Sequence, residues 1–284
     1  MTPRRALFSR SNIGGIVSKI ATLAIVVVFL IVHSGCTAPI YSIRPVHVPT
    51  MKQGGDVQSN VSIGTSGYDA HLSISPFNHF MVEGGYSKKQ SDQEKNANGS
   101  YTYSHGHSLA EAAAGVYFHA GMIGAERLSL QFTGGFASGK GQGSEGIFRF
   151  NTLTYEEYPV SADLRETFGQ FVMLFETPFA QLVDSTMTRR SKLVVAQYGG
   201  VFRFSKAVAS NFTSPNTLPS YENHSRSMMQ VIGFLRTGEK NVFVEFQAGF
   251  IWSPLSESDD RTKNPNVLTT VGVFTSLGFH FNIF

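Results

Sequence analysis

The stretch at residues 266–284, NVLTTVGVFTSLGFHFNIF, decides the fold of this 284-residue chain. Read at a period of two, one set of positions is mostly apolar: Val267, Thr269, Val271, Val273, Thr275, Leu277, Phe279, Phe281 and Ile283. The alternate positions are mostly small or polar, such as Ser276, Gly278 and His280. Because side chains alternate between the two faces of an extended chain, the pattern predicts a strand. It is longer than the ~5–6 residues usual in soluble sheets and meets the about 9–11 residues that a membrane-spanning strand needs.

The same alternation recurs through residues 57–284, most cleanly at 128–136. Eleven runs are strand-like. We expect about ten strands (range eight to twelve), since single-chain bacterial barrels have even numbers, and we omit the run at 57–64. Strict alternation favours antiparallel pairing in a sheet with two different faces. The predicted fold class is all-β, an antiparallel transmembrane β-barrel.

The composition is compatible with this prediction. Aromatic residues make up 12% of the chain and charged residues 15%, whereas ordinary globular proteins have about 25% charged residues. The alternative is a β-sandwich on a lipid tether, in which the apolar faces form an internal core. The barrel is favoured because Phe or Leu recurs along one face, and strands in hydrocarbon must close to leave no open edge.

The first 35 residues have the pattern of a signal peptide. A stretch with four basic and no acidic residues leads into an apolar run at 20–32, which is too short for a comfortable helical span. Ser34, Gly35 and Cys36 follow, and Cys36 is the only cysteine. These residues look like a bacterial lipobox. The resemblance implies that the chain is cleaved before Cys36 and that Cys36 is acylated with a fatty acid such as palmitate. An uncleaved signal anchor, or ordinary cleavage leaving a free thiol, is the alternative.

The chain is therefore predicted to consist of a signal peptide (1–35), a lipidated tether rich in proline and glycine (36–56) and a barrel domain (57–284). The formal net charge of +3 belongs to the signal peptide. Without it, 19 basic and 20 acidic residues remain. This balance gives no support to nucleic-acid binding.

Taken together, the strand pattern of residues 57–284, the aromatic C-terminus and the cysteine motif resemble the outer-membrane β-barrel proteins of Gram-negative bacteria. The resemblance implies a lipid-anchored, membrane-spanning protein of the cell outer membrane. It also implies contacts with outer-membrane lipid and with the barrel-assembly and lipoprotein-sorting machineries.

The positions opposite the apolar bands are predicted to face the barrel lumen as a polar network. Its members are Glu83, Glu111, Gln131, Gln197, Arg203, Arg236, Glu245 and Gln247. A barrel of about eight to ten strands has little free interior, and buried charges persist only when paired. We therefore expect Glu111 and Glu245 to pair with Arg203, Arg236 or both. A conducting pore is the alternative to this filled lumen.

No motif selects a cofactor, a metal or a reaction. The glycine-rich stretch 134–141 fits GxxxxGK, but Gly141 replaces the hydroxyl residue and no helix is predicted after it. His105 and His107 could hold a metal only weakly, because no acid or cysteine stands nearby. A GxSxG sequence is absent. We therefore predict no cofactor, no metal and no enzymatic activity.

The predicted function is a structural or surface-interaction role. It would act through the loops at 88–103, 138–146, 206–226 and 254–265, whose protein or glycan partner the sequence does not identify. The first alternative is a small transport barrel for a polar solute or hydrophobic ligand. The next is a lipid-modifying outer-membrane enzyme.

Overall fold

The computed structural model describes residues 44–90, 106–123, 126–149, 154–178, 195–213, 224–239, 241–253 and 271–283. Residues 37–284 form one compact unit. The predicted signal peptide, Cys36 and His105 lie outside the described residues. Within the described ranges, no helix is long and apolar enough to cross a membrane.

Ten antiparallel strands form a closed barrel over the described chain. They are β1 (Val57–Gly64), β2 (Gly67–Phe77), β3 (Phe80–Gln90), β4 (Gly106–Ile123), β5 (Glu126–Arg149), β6 (Thr154–Pro178), β7 (Val195–Thr213), β8 (His224–Glu239), β9 (Val242–Trp252) and β10 (Val271–Asn282). Each strand pairs with its neighbours in the chain, and β1 pairs with β10. The predicted fold class and the number of ten strands are confirmed.

The run at 57–64, which the prediction omitted, is a strand and completes the closure. Its Val61 pairs with Phe279 of β10 on one side and with Ala70 of β2 on the other. The stretch 147–156, another of the eleven strand-like runs, is not a separate strand: residues 147–149 end β5, and residues 154–156 begin β6. The choice of which run to omit is therefore corrected.

The glycine-rich residues 138–146, predicted as a loop, lie within β5. They pair continuously with β6, and this pairing outweighs the low strand propensity of glycine. A Cβ added at Gly139 would collide with the Ser108 carbonyl oxygen of β4, so the close approach of the two strands requires glycine there. The other predicted loops are strand at their ends: 88–90 in β3, 206–213 in β7 and 224–226 in β8. Residues 91–103, 214–223 and 254–265 lie outside the described residues.

The two ends of the barrel differ in their connections. One end, which we call the turn end, holds the C-terminal ends of β2, β4, β6, β8 and β10, and consecutive strands that meet there are separated by two residues in three cases and by 16 in the fourth. The opposite end, which we call the loop end, holds the C-terminal ends of β1, β3, β5, β7 and β9, where consecutive strands are separated by 2, 15, 4, 10 and 18 residues. Outer-membrane barrels place short turns in the periplasm and longer loops outside.

The outer wall is apolar. On β9, Val244, Phe246 and Phe250 are exposed, whereas the intervening Glu245 and Gln247 are buried inside the barrel. On β10, Leu277 and Phe279 are exposed and His280 is buried. Such a continuous apolar exterior on a closed sheet belongs in lipid, so the barrel is of the transmembrane type.

Residues 44–51, which we call the strap, lie inside the barrel and are buried along their whole length. Their contacts with β6 give their direction. Arg44 pairs with Glu166, the Gln170 side chain donates to the His47 carbonyl, and Lys52 lies 3.8 Å from Glu176. Because β6 runs from the loop end to the turn end, the strap runs the same way.

At the turn end the chain reverses from the strap into β1. The Asp56 carboxylate accepts hydrogen bonds from the backbone N–H groups of Lys52 and Gln53 at 2.6 and 3.1 Å. Gly55 adopts φ of +93°, which glycine accepts without steric cost. The predicted tether therefore differs from the structure over residues 44–56, which belong to the barrel, because the lumen wall supplies partners for their backbone.

Candidate functional site

The inward glutamines hold the strap by its backbone. The bonds are Gln247 Nε2 to Val46 O (2.7 Å), Val46 N–H to Gln247 Oε1 (3.1 Å), Gln170 Nε2 to His47 O (3.4 Å), Thr50 N–H to Gln58 Oε1 (2.6 Å), and Gln131 Nε2 to Pro49 O. An extended segment with no strand partner still has to satisfy its backbone groups when buried. An amide side chain offers both a donor and an acceptor, which explains why glutamine recurs on the inner face.

One group of charges fixes the upstream part of the strap. Arg44 lies 2.6 Å from Glu166 and 2.9 Å from Glu111, and Arg203 lies 3.2 and 3.0 Å from the same two carboxylates. The Arg203 guanidinium also stacks 3.6 Å from the centroid of the Phe168 ring. Two cations and two anions balance, and such mutual pairing is the condition under which buried charge persists.

A second group of charges centres on Arg236, which is fully buried. Its Nε donates to Glu245 Oε2 at 2.8 Å, its Nη1 to Gln197 Oε1 at 3.1 Å and its Nη2 to the Val48 carbonyl at 2.8 Å. The other Glu245 oxygen accepts from Asn60 and from Gln247. Arg236 therefore joins the wall to the strap.

The structure places all eight predicted network residues on the inner face. Arg203 and Glu111 lie in the first group, while Arg236, Glu245, Gln197 and Gln247 lie in the second. Gln131 donates to the strap at the Pro49 carbonyl, its one hydrogen bond to a described residue. Glu83 lies apart from both groups, with Oε2 3.6 Å from the His47 Nδ1.

Sequence reasoning missed Arg44 and Glu166. Arg44 lies in a proline-containing segment with no periodicity, so nothing in the sequence indicates that it enters the barrel. Glu166 falls between the predicted strands, although residues 160–174 alternate between buried and less buried positions in β6. The alternation of Val160, Ala162 and Leu164 with Ser161 and Asp163 was the available signal.

The predicted network implied an inner wall that is polar throughout, but part of this wall is apolar. A continuous apolar cluster covers the β6–β8 side: Val160, Ala162, Leu164, Val172, Leu174, Val201, Ala207, Ala209, Met228, Ile232 and Phe234. Val46 and Val48 of the strap pack in this cluster. The strap is therefore held by apolar contacts on one side of the lumen and by polar groups on the other.

Three histidine rings stack inside the barrel. The His47 ring centroid lies 5.3 Å from that of His71 and 5.6 Å from that of His280. The His47 Nδ1 lies 2.8 Å from Ser73 Oγ and 3.6 Å from the Glu83 carboxylate. In a hydrolytic triad the serine and the acid take opposite ring nitrogens, so this arrangement is not a triad. No group of ligands among the described side chains is arranged to hold a metal ion.

A different serine–histidine contact lies toward the loop end. Ser87 Oγ is 3.0 Å from His107 Nε2, and both residues are buried. Asp69 is the cross-strand neighbour of Ser87 on β2. In serine hydrolases Nε2 is the ring nitrogen that accepts the nucleophile's proton. His107, the described member of the histidine pair that was considered only as a weak metal site, thus contacts a serine.

Comparisons with known proteins give a likeness of fold. No protein-family model matches the sequence, and no curated protein matches it. One solved structure, LpxR from Salmonella typhimurium, is similar over 80% of this chain and 99% of its own, with a TM-score of 0.36 and 6% sequence identity. The prediction of no enzymatic activity finds no support in this comparison and is withdrawn.

Proposed function

We propose that this protein is an outer-membrane barrel closed by its own strap, which leaves the loop end as the surface for its interactions. The observation that carries the proposal is the complete burial of residues 44–51 within the lumen. A water-filled pore would leave one side of such a segment hydrated. The turn end would face the periplasm, as short turns do in this class of barrel. Acylation of Cys36, which lies outside the described residues, would add a lipid anchor.

Conductance measurements test the closure. The purified protein in a planar bilayer is expected to show no steady ion current. Replacing residues 44–51 with a Gly/Ser segment of equal length should open a conducting path, because the bulky Arg44, Val46, His47, Val48 and Met51 side chains leave the lumen. Heat-modifiable gel migration checks that the variant barrel is folded.

Each result decides the proposal. A steady ohmic current through the unaltered protein would show an open lumen and favour the transport alternative. A folded variant that passes no current would show that the wall side chains close the barrel without the strap. Either outcome contradicts the proposed role of residues 44–51.

A second candidate function is hydrolysis of a lipid ester or amide, and the Ser87–His107 contact favours it. In that reaction Ser87 Oγ would attack the acyl carbon while His107 takes its proton. The leaving group would receive that proton, and water would then release the acid.

Labelling with a fluorophosphonate probe tests this second function. The folded protein should be labelled at Ser87, and Ser87→Ala should remove the label. Ser73→Ala is the matched control, since Ser73 contacts the Nδ1 of its histidine, and it should leave labelling unchanged. Equal labelling of the Ser87→Ala variant, or no labelling of the unaltered protein, would contradict hydrolysis at this site.

A further inference from the structure

The outward face of β3–β7 changes from apolar to basic at one level. On β5 the outward residues are Leu128, Leu130, Phe132, Gly134, Phe136, Ser138 and then Lys140. The same change occurs at Lys88 after Tyr86 on β3, at Arg165 beyond Thr167 on β6, and at Lys206 after Phe204 on β7. All four cations are exposed and lie toward the loop end.

The length of the apolar part fits the hydrocarbon layer. Residues 128–136 of β5 span about 30 Å along the strand, at ~3.4 Å per residue. With the strand tilt of roughly 35–45° found in membrane barrels, this corresponds to a height of about 21–25 Å, close to the about 25 Å of their apolar band. The cations therefore stand at the level of the lipid headgroups on the loop-end side.

The strand register brings the four cations onto one patch. Lys88 and Lys140 are both direct cross-strand neighbours of Ser108 on β4. On β6, Arg165 lies two residues away from the residue that pairs with Lys140. On β7, Lys206 lies two residues away from the residue that pairs with Arg165. Such diagonal neighbours lie about 7–8 Å apart, within reach of long side chains.

The patch is basic and one-sided. The one acid in its described part is Asp163, opposite Lys140, and the Asp163 carboxylate accepts a hydrogen bond from the Asn211 side chain at 2.8 Å. The Ser108 hydroxyl, bonded to the Tyr86 hydroxyl at 2.9 Å, adds a polar group. Among the described side chains, the outward positions of β1, β2 and β8–β10 carry no charge. A general girdle of basic residues would surround the whole barrel, whereas this basic patch occupies one side of it.

We propose that Lys88, Lys140, Arg165 and Lys206 form a binding site for phosphorylated lipid headgroups in the leaflet at the loop end. Phosphate oxygens accept charge-assisted hydrogen bonds from lysine and arginine, and arginine can bind two oxygens at once. The apolar wall directly below the patch would receive the acyl chains. The site is thus complementary to an amphiphile with an anionic head.

Native mass spectrometry of the full barrel in a neutral detergent tests the site, with phosphatidic acid as probe and phosphatidylcholine as the uncharged comparison. The unaltered protein is expected to retain phosphatidic acid preferentially. Each of Lys140→Gln, Arg165→Gln and Lys206→Gln should weaken retention about fivefold, and the triple variant about 100-fold. The matched control is Arg127→Gln, an exposed arginine at the turn end, which should change nothing.

Equal retention of the two lipids, or a triple variant that binds phosphatidic acid as tightly as the unaltered protein, would overturn the proposal. So would equal loss in the Arg127→Gln control, since it would indicate a general effect of net charge. Displacement of the lipid by an equal concentration of inorganic phosphate would also overturn it, because the site would then recognise free phosphate. None of these results depends on whether the strap closes the lumen.

Discussion

Replacing Arg236 by methionine is expected to lower the free energy of unfolding by about 3–5 kcal/mol. Methionine has a similar length, so the space remains filled while the charge is lost. The Glu245 carboxylate, 2% exposed, would keep hydrogen bonds from Asn60 and Gln247 but lose its only ion pair among the described residues. The strap would lose the bond to its Val48 carbonyl as well. Urea unfolding in lipid vesicles, followed by heat-modifiable gel migration, measures the change.

Two controls separate the buried charge from other effects. Arg127→Met removes an exposed arginine and should stay within about 1 kcal/mol, as exposed ion pairs contribute little. The double variant Arg236→Met/Glu245→Leu should recover part of the loss, because an apolar replacement leaves no unpaired charge behind. Equal unfolding midpoints for Arg236→Met and Arg127→Met would mean that the interior is hydrated. The proposal of a closed lumen would then fail.

Placing an arginine at Phe246 should destabilise the barrel by about 2–4 kcal/mol if that residue faces the centre of the bilayer. Phe246 is 48% exposed on the outer wall near the middle of β9, and its neighbours Leu235 and Leu277 on the adjacent strands are exposed too. The guanidinium would have to leave water for hydrocarbon or distort the lipid around it. Unfolding in vesicles and the yield of assembled protein in the membrane both report the effect.

Val242→Arg is the matched control, because Val242 lies on the same face of the same strand at its turn end. There the cost should fall to about 0–1 kcal/mol, since the side chain can reach the headgroup layer. If both variants behave alike, the outer wall does not follow the depth profile of a bilayer. The transmembrane placement of the barrel would then be wrong.

Much of the polar site follows from the alternation of residues. Once a strand and its lipid face are known, the opposite positions face inward, which places Glu111, Arg203, Arg236 and Glu245 in the lumen. Pairing between strands that are distant in sequence does not follow in this way. Arg203 reaches Glu111 across the barrel, and this contact depends on the strand number and stagger, which no local pattern records.

The loop predictions failed where composition was used in place of pairing. Residues 138–146 are rich in glycine, yet glycine is what the crowded contact at Gly139 and Ser108 requires. Backbone pairing with β6 then continues the strand through these residues to Arg149. Composition alone could not distinguish a flexible loop from a strand packed closely against its neighbour.

The sequence by itself determined the two-faced antiparallel strands and favoured their closure into a barrel with an apolar exterior over the sandwich. A period of two fixes which side chains share a face, and hydrocarbon permits no open sheet edge. Only the tertiary structure decided what occupies the interior. The strap has no periodic pattern, because its backbone bonds go to the side chains of Gln247, Gln131 and Arg236 and not to a neighbouring strand. The basic patch was likewise invisible in the chain, since strand register alone brings Lys88, Lys140, Arg165 and Lys206 together.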